Sequence, residues 1–242
     1  MKIMRFVIIM LLLAFSHFDV GAMQNLDDQE HSLQGLPPEI IFKIIKKSFS
    51  NFNDGQQLIN DLKKFSSFFS ASSTLYQYKS YILDILKKHA TINALSEALE
   101  IAINENKNEI VKLLINVVGN KLELLLLHKY SLGLSPLHLA IKQKNMGIIT
   151  TIFDKVKDNI PLLTKILEVQ NEHGYTPLMG AVQLQDYEIV KKILEEGSKT
   201  NQYFLTLKDT ANESVLEIAK EDLYGPPDSR IIKLIEDSLN KK

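Results

Sequence analysis

Two segments of the chain share one pattern of apolar and polar positions. SPLHLA occupies residues 135–140, and the closely similar TPLMGA occupies residues 176–181. In both, a hydroxyl residue can cap a helix, and the proline after it suits the first helical position, where a missing N–H costs nothing. Leu137 and Leu178 are predicted core contacts, and the closing alanine of each hexapeptide leaves room for a second helix.

That second helix is predicted at a fixed distance from each hexapeptide. Ile149 follows Pro136 at the same offset at which Val190 follows Pro177. Around both positions apolar residues recur at i, i+3 and i+4, the pattern of a helix with one buried face. The residues of the two predicted buried faces are Ile148, Ile149, Ile152, Phe153, Ile189, Val190, Ile193 and Leu194.

The same template finds two degenerate copies of the unit. EALEIA carries Ala98 in place of the proline, and Val111 follows it at the same offset. SVLEIA carries Val215 at that place, and its apolar partner Ile232 comes later than in the other copies. The extra positions include GPPD, whose prolines cannot continue a helix and whose Asp228 can cap the next one. The hexapeptides start at positions 97, 135, 176 and 214, a nearly even spacing that predicts four helix pairs.

A turn is predicted shortly before each of the last three hexapeptides, at Tyr130, Asn171 and Asp209. Each turn follows an apolar stretch, which reads LELLLL, KILEV or YFLTL. We interpret these stretches as connector loops between one helix pair and the next.

A hexapeptide of this kind that opens a two-helix unit resembles the ankyrin repeat, whose signature is T-P-L-H-x-A and whose usual period is about 33 residues. Residues 135–140 include the signature histidine as His138, and Met179 takes its place in the next copy. The resemblance spans about residues 91–238, with connectors about 5 to 8 residues longer than the family's. It implies an all-α fold, an ankyrin-like helical solenoid of about four repeats.

The N-terminus has the features of a bacterial-type signal peptide. A basic start precedes an apolar run from Phe6 to Phe15, and small residues follow at Gly21 and Ala22. This run is too short to span the hydrocarbon core of a bilayer, which is about 30 Å thick. We therefore predict cleavage after Ala22, with no stable membrane insertion afterwards. An uncleaved anchor and a buried first helix are the alternatives.

Residues 36–90 predict a small helical domain before the repeats. Its opening, LPPEIIFKII, resembles the F-box, a helical module that docks on the Skp-type adaptor of cullin–RING ubiquitin ligases. The stretch between its helices is longer than usual in that family, and the chain has no tryptophan. The alternative is a bundle that only caps the first repeat, since the terminal repeat of a solenoid needs a covered apolar face. The resemblance implies that the adaptor would contact Leu36, Pro37, Glu39, Ile40 and Ile44.

Composition and charge narrow the range of functions. The 28 Lys and Arg residues nearly balance the 29 Asp and Glu residues, so the strongly basic character of a nucleic-acid-binding domain is missing. With no cysteine, disulfides, thiolate metal sites and a cysteine nucleophile are excluded. The six histidines lack metal-binding spacing, no glycine-rich phosphate loop is present, and Ser135 lacks the context of a nucleophile. We therefore expect no enzymatic activity, no cofactor and no metal.

The predicted organisation is a signal peptide (1–22), a linker (23–35), the helical F-box-like or capping domain (36–90) and the ankyrin-like repeats (91–242). We expect a monomer that binds protein partners through residues just before the hexapeptides and on the first helices. These candidate contact residues are Leu132, Leu134, Lys142, Gln143, Glu172, His173, Tyr175, Gln183, Asn212 and Glu213.

The combination of a signal peptide, an F-box-like opening and ankyrin-like repeats resembles the organisation of eukaryote-like proteins of host-associated bacteria. The sharper expectation is a secreted effector, exported from the bacterial cytoplasm, that recruits host proteins to a ubiquitin ligase adaptor. The alternative is a structural periplasmic or envelope scaffold, in which the N-terminal bundle only caps the repeats.

Overall fold

The computed structural model describes residues 54–71, 86–221 and 226–240, without the side chains of residues 64–71. The predicted signal peptide and linker lie outside these residues, and so does most of the predicted helical domain. Within the described ranges the secondary structure is helical and contains no β-strand.

The chain divides into two compact units, Met1–Leu95 and Ser96–Lys242. In the first unit, helix α1 (Gly55–Ala71) begins where Asp54 Oδ1 accepts a hydrogen bond of 2.9 Å from the backbone N–H of Gln57. One face of the helix is buried, with apolar residues at the i, i+1 and i+4 positions. These residues are Leu58, Ile59 and Leu62.

The predicted helix pairs of the repeats are present, and each consists of a first helix, a short turn and a second helix. The first helices are α2 (Ile92–Asn104), α5 (Pro136–Lys142), α8 (Pro177–Gln183) and α10 (Val215–Lys220). The second helices are α3 (Asn108–Val117), α6 (Met146–Val156), α9 (Tyr187–Gly197) and α11 (Ser229–Leu239). The helix pairs therefore form an all-α repeat solenoid, as predicted.

Successive pairs stack with like helices side by side. Among the first helices, α5 packs on α8 and α8 packs on α10, while among the second helices α3 packs on α6 and α9 packs on α11. Leu137 and Leu178 are 1% and 0% exposed, which confirms them as core residues. The two predicted buried faces are confirmed as well. In the last pair Ile231 is buried, whereas the predicted partner Ile232 beside it is only half-buried.

The interpretation of the connectors as loops is wrong, because they contain helical structure. α4 (Leu122–Leu126) follows α3, α7 (Ile160–Glu168) follows α6, and a 3₁₀ turn (Tyr203–Leu205) follows α9. α7 packs against both α6 and α9. The connectors are therefore part of the core, and their buried residues are Leu125, Leu126, Leu162, Leu163, Ile166, Leu167, Phe204 and Leu205.

Local signals explain why α7 forms. Asn159 Oδ1 accepts a hydrogen bond of 3.2 Å from the backbone N–H of Leu162, and Pro161 occupies the first turn of the helix. Buried residues then recur at i, i+1, i+4 and i+5 from Leu162, which places them on one helical face. The period of this repeat exceeds the family's usual period of about 33 residues because it includes this third helix.

The start of the first helix pair also departs from the prediction. EALEIA predicts a helix start near Ala98, but α2 begins at Ile92, after Thr91 Oγ1 accepts a hydrogen bond of 3.3 Å from the N–H of Ala94. The next two hexapeptides have a proline that prevents the helix from extending towards the N-terminus. Ala98 is a strong helix former, so the helix continues through it.

The turn between the helices of a pair uses left-handed residues that are not glycine. Asn106, Lys144 and Gln185 have φ of 57°, 52° and 50°. At the end of α5, the N–H of Lys144 donates to the carbonyl of Ile141 at 2.8 Å, and the next N–H donates to the carbonyl of Ala140 at 3.1 Å. These two bonds form a Schellman motif, which satisfies the last carbonyl groups of the helix.

Alanine should have opposite effects at two helical glycines. A Cβ at Gly197 would lie 2.6 Å from Cε1 of Phe204, whose ring is buried, so Gly197→Ala should lower the free energy of unfolding by about 1–3 kcal/mol. A Cβ at Gly180 of α8 would meet nothing within 4 Å, so Gly180→Ala should raise it by about 0.5–1 kcal/mol. Urea unfolding of both variants measures the two effects, and shifts of the same sign would contradict this packing.

Candidate protein-binding surface

Three turns, here called the tips, precede the first helices α5, α8 and α10. They comprise residues 130–134, 171–175 and 209–213. In each tip the N–H of the first residue donates to the carbonyl of the fifth, at 2.9, 3.1 and 3.0 Å. The predicted turn positions Tyr130, Asn171 and Asp209 are confirmed as these first residues. The three tips are therefore structural equivalents.

The fourth residue of every tip has a left-handed backbone. Gly133, Gly174 and Asn212 have φ of 70°, 77° and 65°. A Cβ at Gly133 would lie 2.9 Å from the backbone nitrogen of Glu172, and one at Gly174 would lie 2.7 Å from that of Thr210. Glycine is thus required where the next tip packs closely, whereas asparagine, which tolerates this conformation, serves at the last described tip.

Backbone hydrogen bonds join each tip to the next. The N–H of Glu172 donates to the carbonyl of Leu132 at 3.0 Å, and the N–H of Thr210 donates to the carbonyl of His173 at 3.0 Å. The tips consequently form one row along the solenoid. Thr210 and Ala211 are also exposed at the third tip; they were missed from the sequence, although counting from Asp209 could have found them.

Side chains hold the tips in shape. Asn171 Oδ1 accepts hydrogen bonds from the N–H groups of His173 and Tyr175 at 2.9 and 3.0 Å. In the third tip, Asp209 Oδ1 accepts hydrogen bonds from the N–H groups of Ala211 and Glu213 at 2.9 and 2.8 Å. Such short side-chain bonds mimic a backbone turn, and they explain the Asn and Asp at these positions.

Tyr130 supports the first tip differently. Its hydroxyl donates a hydrogen bond of 2.9 Å to the carbonyl of Ser96 in α2. Burial, followed by the nearby charge of Glu100, raises the pKa of the Tyr130 phenol well above its usual value. The hydroxyl therefore stays protonated and remains a donor.

His138 links two repeats. The N–H of Ser135 donates to Nδ1 of His138 at 3.3 Å, so the ring carries its proton on Nε2 and donates it to the carbonyl of Tyr175 at 2.9 Å. The ring is thus bonded both within its own repeat and to the next one. Ser135 and His138 are both buried, and together they cap α5.

The same capping arrangement recurs with other side chains. Met179 Sδ accepts from the N–H of Thr176 at 3.4 Å, and Glu217 Oε2 accepts from the N–H of Ser214 at 2.6 Å. His, Met and Glu thus occupy one structural position in three successive repeats. Only the imidazole has a second polar atom that reaches the following tip as a donor, because sulfur and carboxylate are acceptors.

The candidate contact residues divide into two groups by exposure. The exposed ones are Leu132, Lys142, Glu172, His173 and Asn212. The others are half-buried: Leu134, Gln143, Tyr175, Gln183 and Glu213. All of them belong to the tips or to the C-terminal ends of first helices α5 and α8.

The side chains of Gln143 and Glu213 also have structural contacts. The amide of Gln143 donates to Asn104 Oδ1 at 3.3 Å, across to the preceding pair. The carboxyl of Glu213 shares a hydrogen bond with Glu221, which raises its pKa, and partial desolvation and the nearby charges of Glu221, Asp209 and Glu217 act in the same direction. Several carboxyl groups therefore lie close together at the last tip, and Lys208 Nζ donates to the carbonyl of Asn212 in the same tip at 3.0 Å.

Leu132 is the most unusual of the candidate residues. Its side chain is 54% exposed, and its backbone has φ of 61° and ψ of 19°, in the left-handed region. A leucine in this conformation costs about 1–2 kcal/mol relative to an ordinary turn. The sequence predicted the exposed position, but it contained no sign of the backbone conformation.

The candidate adaptor-binding residues Leu36, Pro37, Glu39, Ile40 and Ile44 lie outside the described residues. Within the described ranges, no group of three His, Asp or Glu side chains is placed to hold a metal ion. No helix in the same ranges combines the length and apolarity needed to cross a membrane.

The fold and the tips define an all-α solenoid of repeated helix pairs with a row of stacked turns. Residues 99–203 match the family model described as ankyrin repeats (3 copies). Residues 99–203 therefore contain ankyrin repeats, and the fourth helix pair lies beyond the matched range. A search of curated proteins found no match to the chain. Ankyrin repeats are typically non-catalytic protein–protein interaction modules, so they imply that this chain has protein partners.

Replacing His138 by methionine, the residue at the equivalent position of the next repeat, should weaken the stack at neutral pH. Methionine keeps an acceptor for the N–H of Ser135 but loses the hydrogen bond to the carbonyl of Tyr175. We expect His138→Met to lower the free energy of unfolding by about 0.5–1.5 kcal/mol, measured by urea unfolding.

The same variant should change the pH dependence of stability. Burial lowers the pKa of His138 to about 4, with Lys129 adding to the effect and the bond to Tyr175 opposing it. In the unfolded chain the imidazole of His138 takes up a proton near pH 6.5, whereas in the folded chain it does so only near pH 4. Falling pH therefore lowers the free energy of unfolding of the wild type, by on the order of 3 kcal/mol at most. The stability difference between wild type and His138→Met should therefore shrink as the pH falls through this window and reverse in sign at its acidic end. A constant difference would contradict a neutral, buried imidazole.

Proposed function

We propose that the row of tips, together with the exposed ends of α5 and α8, is the surface through which the chain binds a protein partner. The observation that carries this proposal is Leu132, an exposed apolar side chain held in an unfavourable backbone conformation at a tip. Folding alone favours glycine or asparagine at such a position. A leucine at this position is consistent with an apolar anchor for a partner, because a few such anchors carry most of the binding energy of an interface.

The surroundings of Leu132 suit a mixed apolar and polar interface. Glu172 and His173 are exposed on the adjoining tip, and Lys142 is exposed at the end of α5. The last tip adds the group of carboxyl side chains around Glu213 and the amino group of Lys208. An apolar centre with a charged rim is the usual arrangement of a specific protein interface.

Leu132→Asn separates binding from folding. Asparagine tolerates a left-handed backbone, so the free energy of unfolding should stay equal or rise, while the apolar anchor is lost. We expect the amount of the main partner captured by the mature chain from a cell lysate to fall at least about tenfold. Quantitative mass spectrometry of the captured protein measures this loss.

Lys144→Asn is the matched control. Lys144 has the same left-handed backbone and is exposed, but it lies in the turn between α5 and α6 and not in a tip. Capture should be unchanged in this variant. Equal capture by wild type and both variants would contradict the assignment of the tips as the binding surface.

We further propose that the chain is a bacterial effector, exported through its signal peptide, whose F-box-like segment recruits a Skp-type adaptor while its repeats hold a host protein. The support is the sequence: the apolar run from Phe6 to Phe15 and the LPPEI opening at residues 36–40. The periplasmic or envelope scaffold is the alternative, and cell fractionation distinguishes them, since a scaffold would remain with the envelope.

Ile40→Asp tests the recruitment. A charge among the apolar residues of the F-box-like opening should abolish capture of a Skp-type adaptor from eukaryotic lysate, while capture of the repeat-bound partner persists. Leu132→Asn should give the opposite pattern. If the wild type captures no such adaptor, or if Ile40→Asp captures as much as the wild type, the recruitment proposal fails and the tip surface is unaffected.

A further inference from the structure

A groove of about 270 Å³ lies between α9, α11 and the 3₁₀ turn Tyr203–Leu205. It shares no residue with the tips. The exposed side chains of Lys191 and Glu195, one helical turn apart on α9, stand along it. Its apolar lining consists of Leu194, Phe204, Leu205 and Leu234.

The 3₁₀ turn beside the groove is the counterpart of α7 in the preceding repeat, but it is shorter. Counted back from the first residue of the following tip, Phe204 and Leu205 correspond to Ile166 and Leu167 of α7. All four side chains are buried. The short 3₁₀ turn therefore reproduces the last part of the third helix, and the groove lies beside it.

The beginning of the third helix has no such counterpart. α7 spans nine residues and buries Leu162 and Leu163 in its first half, whereas the 3₁₀ turn spans three residues and begins only at Tyr203. The two adjacent aliphatic side chains of α7 therefore have no helical counterpart in this repeat. Leu194 of α9, which occupies the place of Phe153 in α6, is 8% exposed, whereas Phe153 is 1% exposed.

We propose that this groove binds one helical turn of a protein partner that presents two adjacent aliphatic side chains, in the role that Leu162 and Leu163 have within α7. Docking of an amphipathic helix into an apolar groove is a common mode of peptide recognition. Rim charges of both signs suit a helix that carries both, as α7 does with Lys165 and Glu168. The site is separate from the tips, so a partner there and a partner on the tips can bind together.

The probe is a fluorescein-labelled peptide of residues 157–170, the sequence of α7 with its cap, and fluorescence polarisation with the full mature chain measures its binding. We expect saturable binding at micromolar protein concentrations. A peptide with Leu162→Asp and Leu163→Asp should not bind, because its aliphatic pair is gone. Absence of saturable binding by the parent peptide would overturn the proposal. The affinity of the groove for such a helix would then be too low, or another segment of the chain would cover the groove.

Variants of the chain locate the binding. Leu234→Lys places a charge in the groove, and Ser198→Trp covers it from an exposed position without changing the core, so each should weaken peptide binding at least about tenfold. Asp237→Gln changes the net charge by the same unit as Leu234→Lys at a position of α11 outside the groove and should bind as the wild type does.

Two results would contradict the proposal. Equal affinity of the peptide for the wild type and for Ser198→Trp would place the binding elsewhere. Dimerisation of the wild type in sedimentation experiments, abolished by Ser198→Trp, would show that a second copy of the chain occupies the groove instead of a partner helix. Leu132→Asn should leave peptide binding unchanged, so failure of this proposal is distinguishable from failure of the tip surface.

Discussion

The backbone hydrogen bonds between successive tips set the register on which the rest of the solenoid depends. They join Glu172 to Leu132 and Thr210 to His173, one bond for each pair of neighbouring tips. A single helix pair cannot bury its apolar faces, so every repeat relies on correct placement of the next. Gly133 and Gly174 permit the close approach, and the bond from His138 to Tyr175 reinforces it.

Residues that fix local structure made much of the repeat predictable. Ser135 and Thr176 cap helices, Pro136 and Pro177 begin them, and the constant offset locates the second helices, so the helix pairs follow from the sequence. The third helices could not be predicted, because a short apolar run such as KILEV has no periodicity that distinguishes a helix from a buried connector. The start of α2 was misplaced for a related reason, since Ala98 lacks the stopping effect of proline.

The candidate surface was predictable in position but not in conformation. Counting from the hexapeptides located Leu132 and His173, because tips of equivalent repeats lie at equivalent distances from the first helix. The left-handed backbone of Leu132 depends on the turn as a whole, and partial coverage of Leu134 and Tyr175 depends on the neighbouring repeats. Both are tertiary effects that a local pattern does not contain.

The central claim is that the tips form one continuous row, and amide hydrogen exchange measured by NMR tests it most directly. The N–H groups of Glu172 and Thr210 occupy the second position of their tips and are bonded to the preceding tip. Ser131 occupies the same position in the first described tip, with no described tip before it. The N–H groups of Glu172 and Thr210 should exchange much more slowly than that of Ser131. Exchange as fast as at Ser131 would contradict the stacked row and the binding surface built on it.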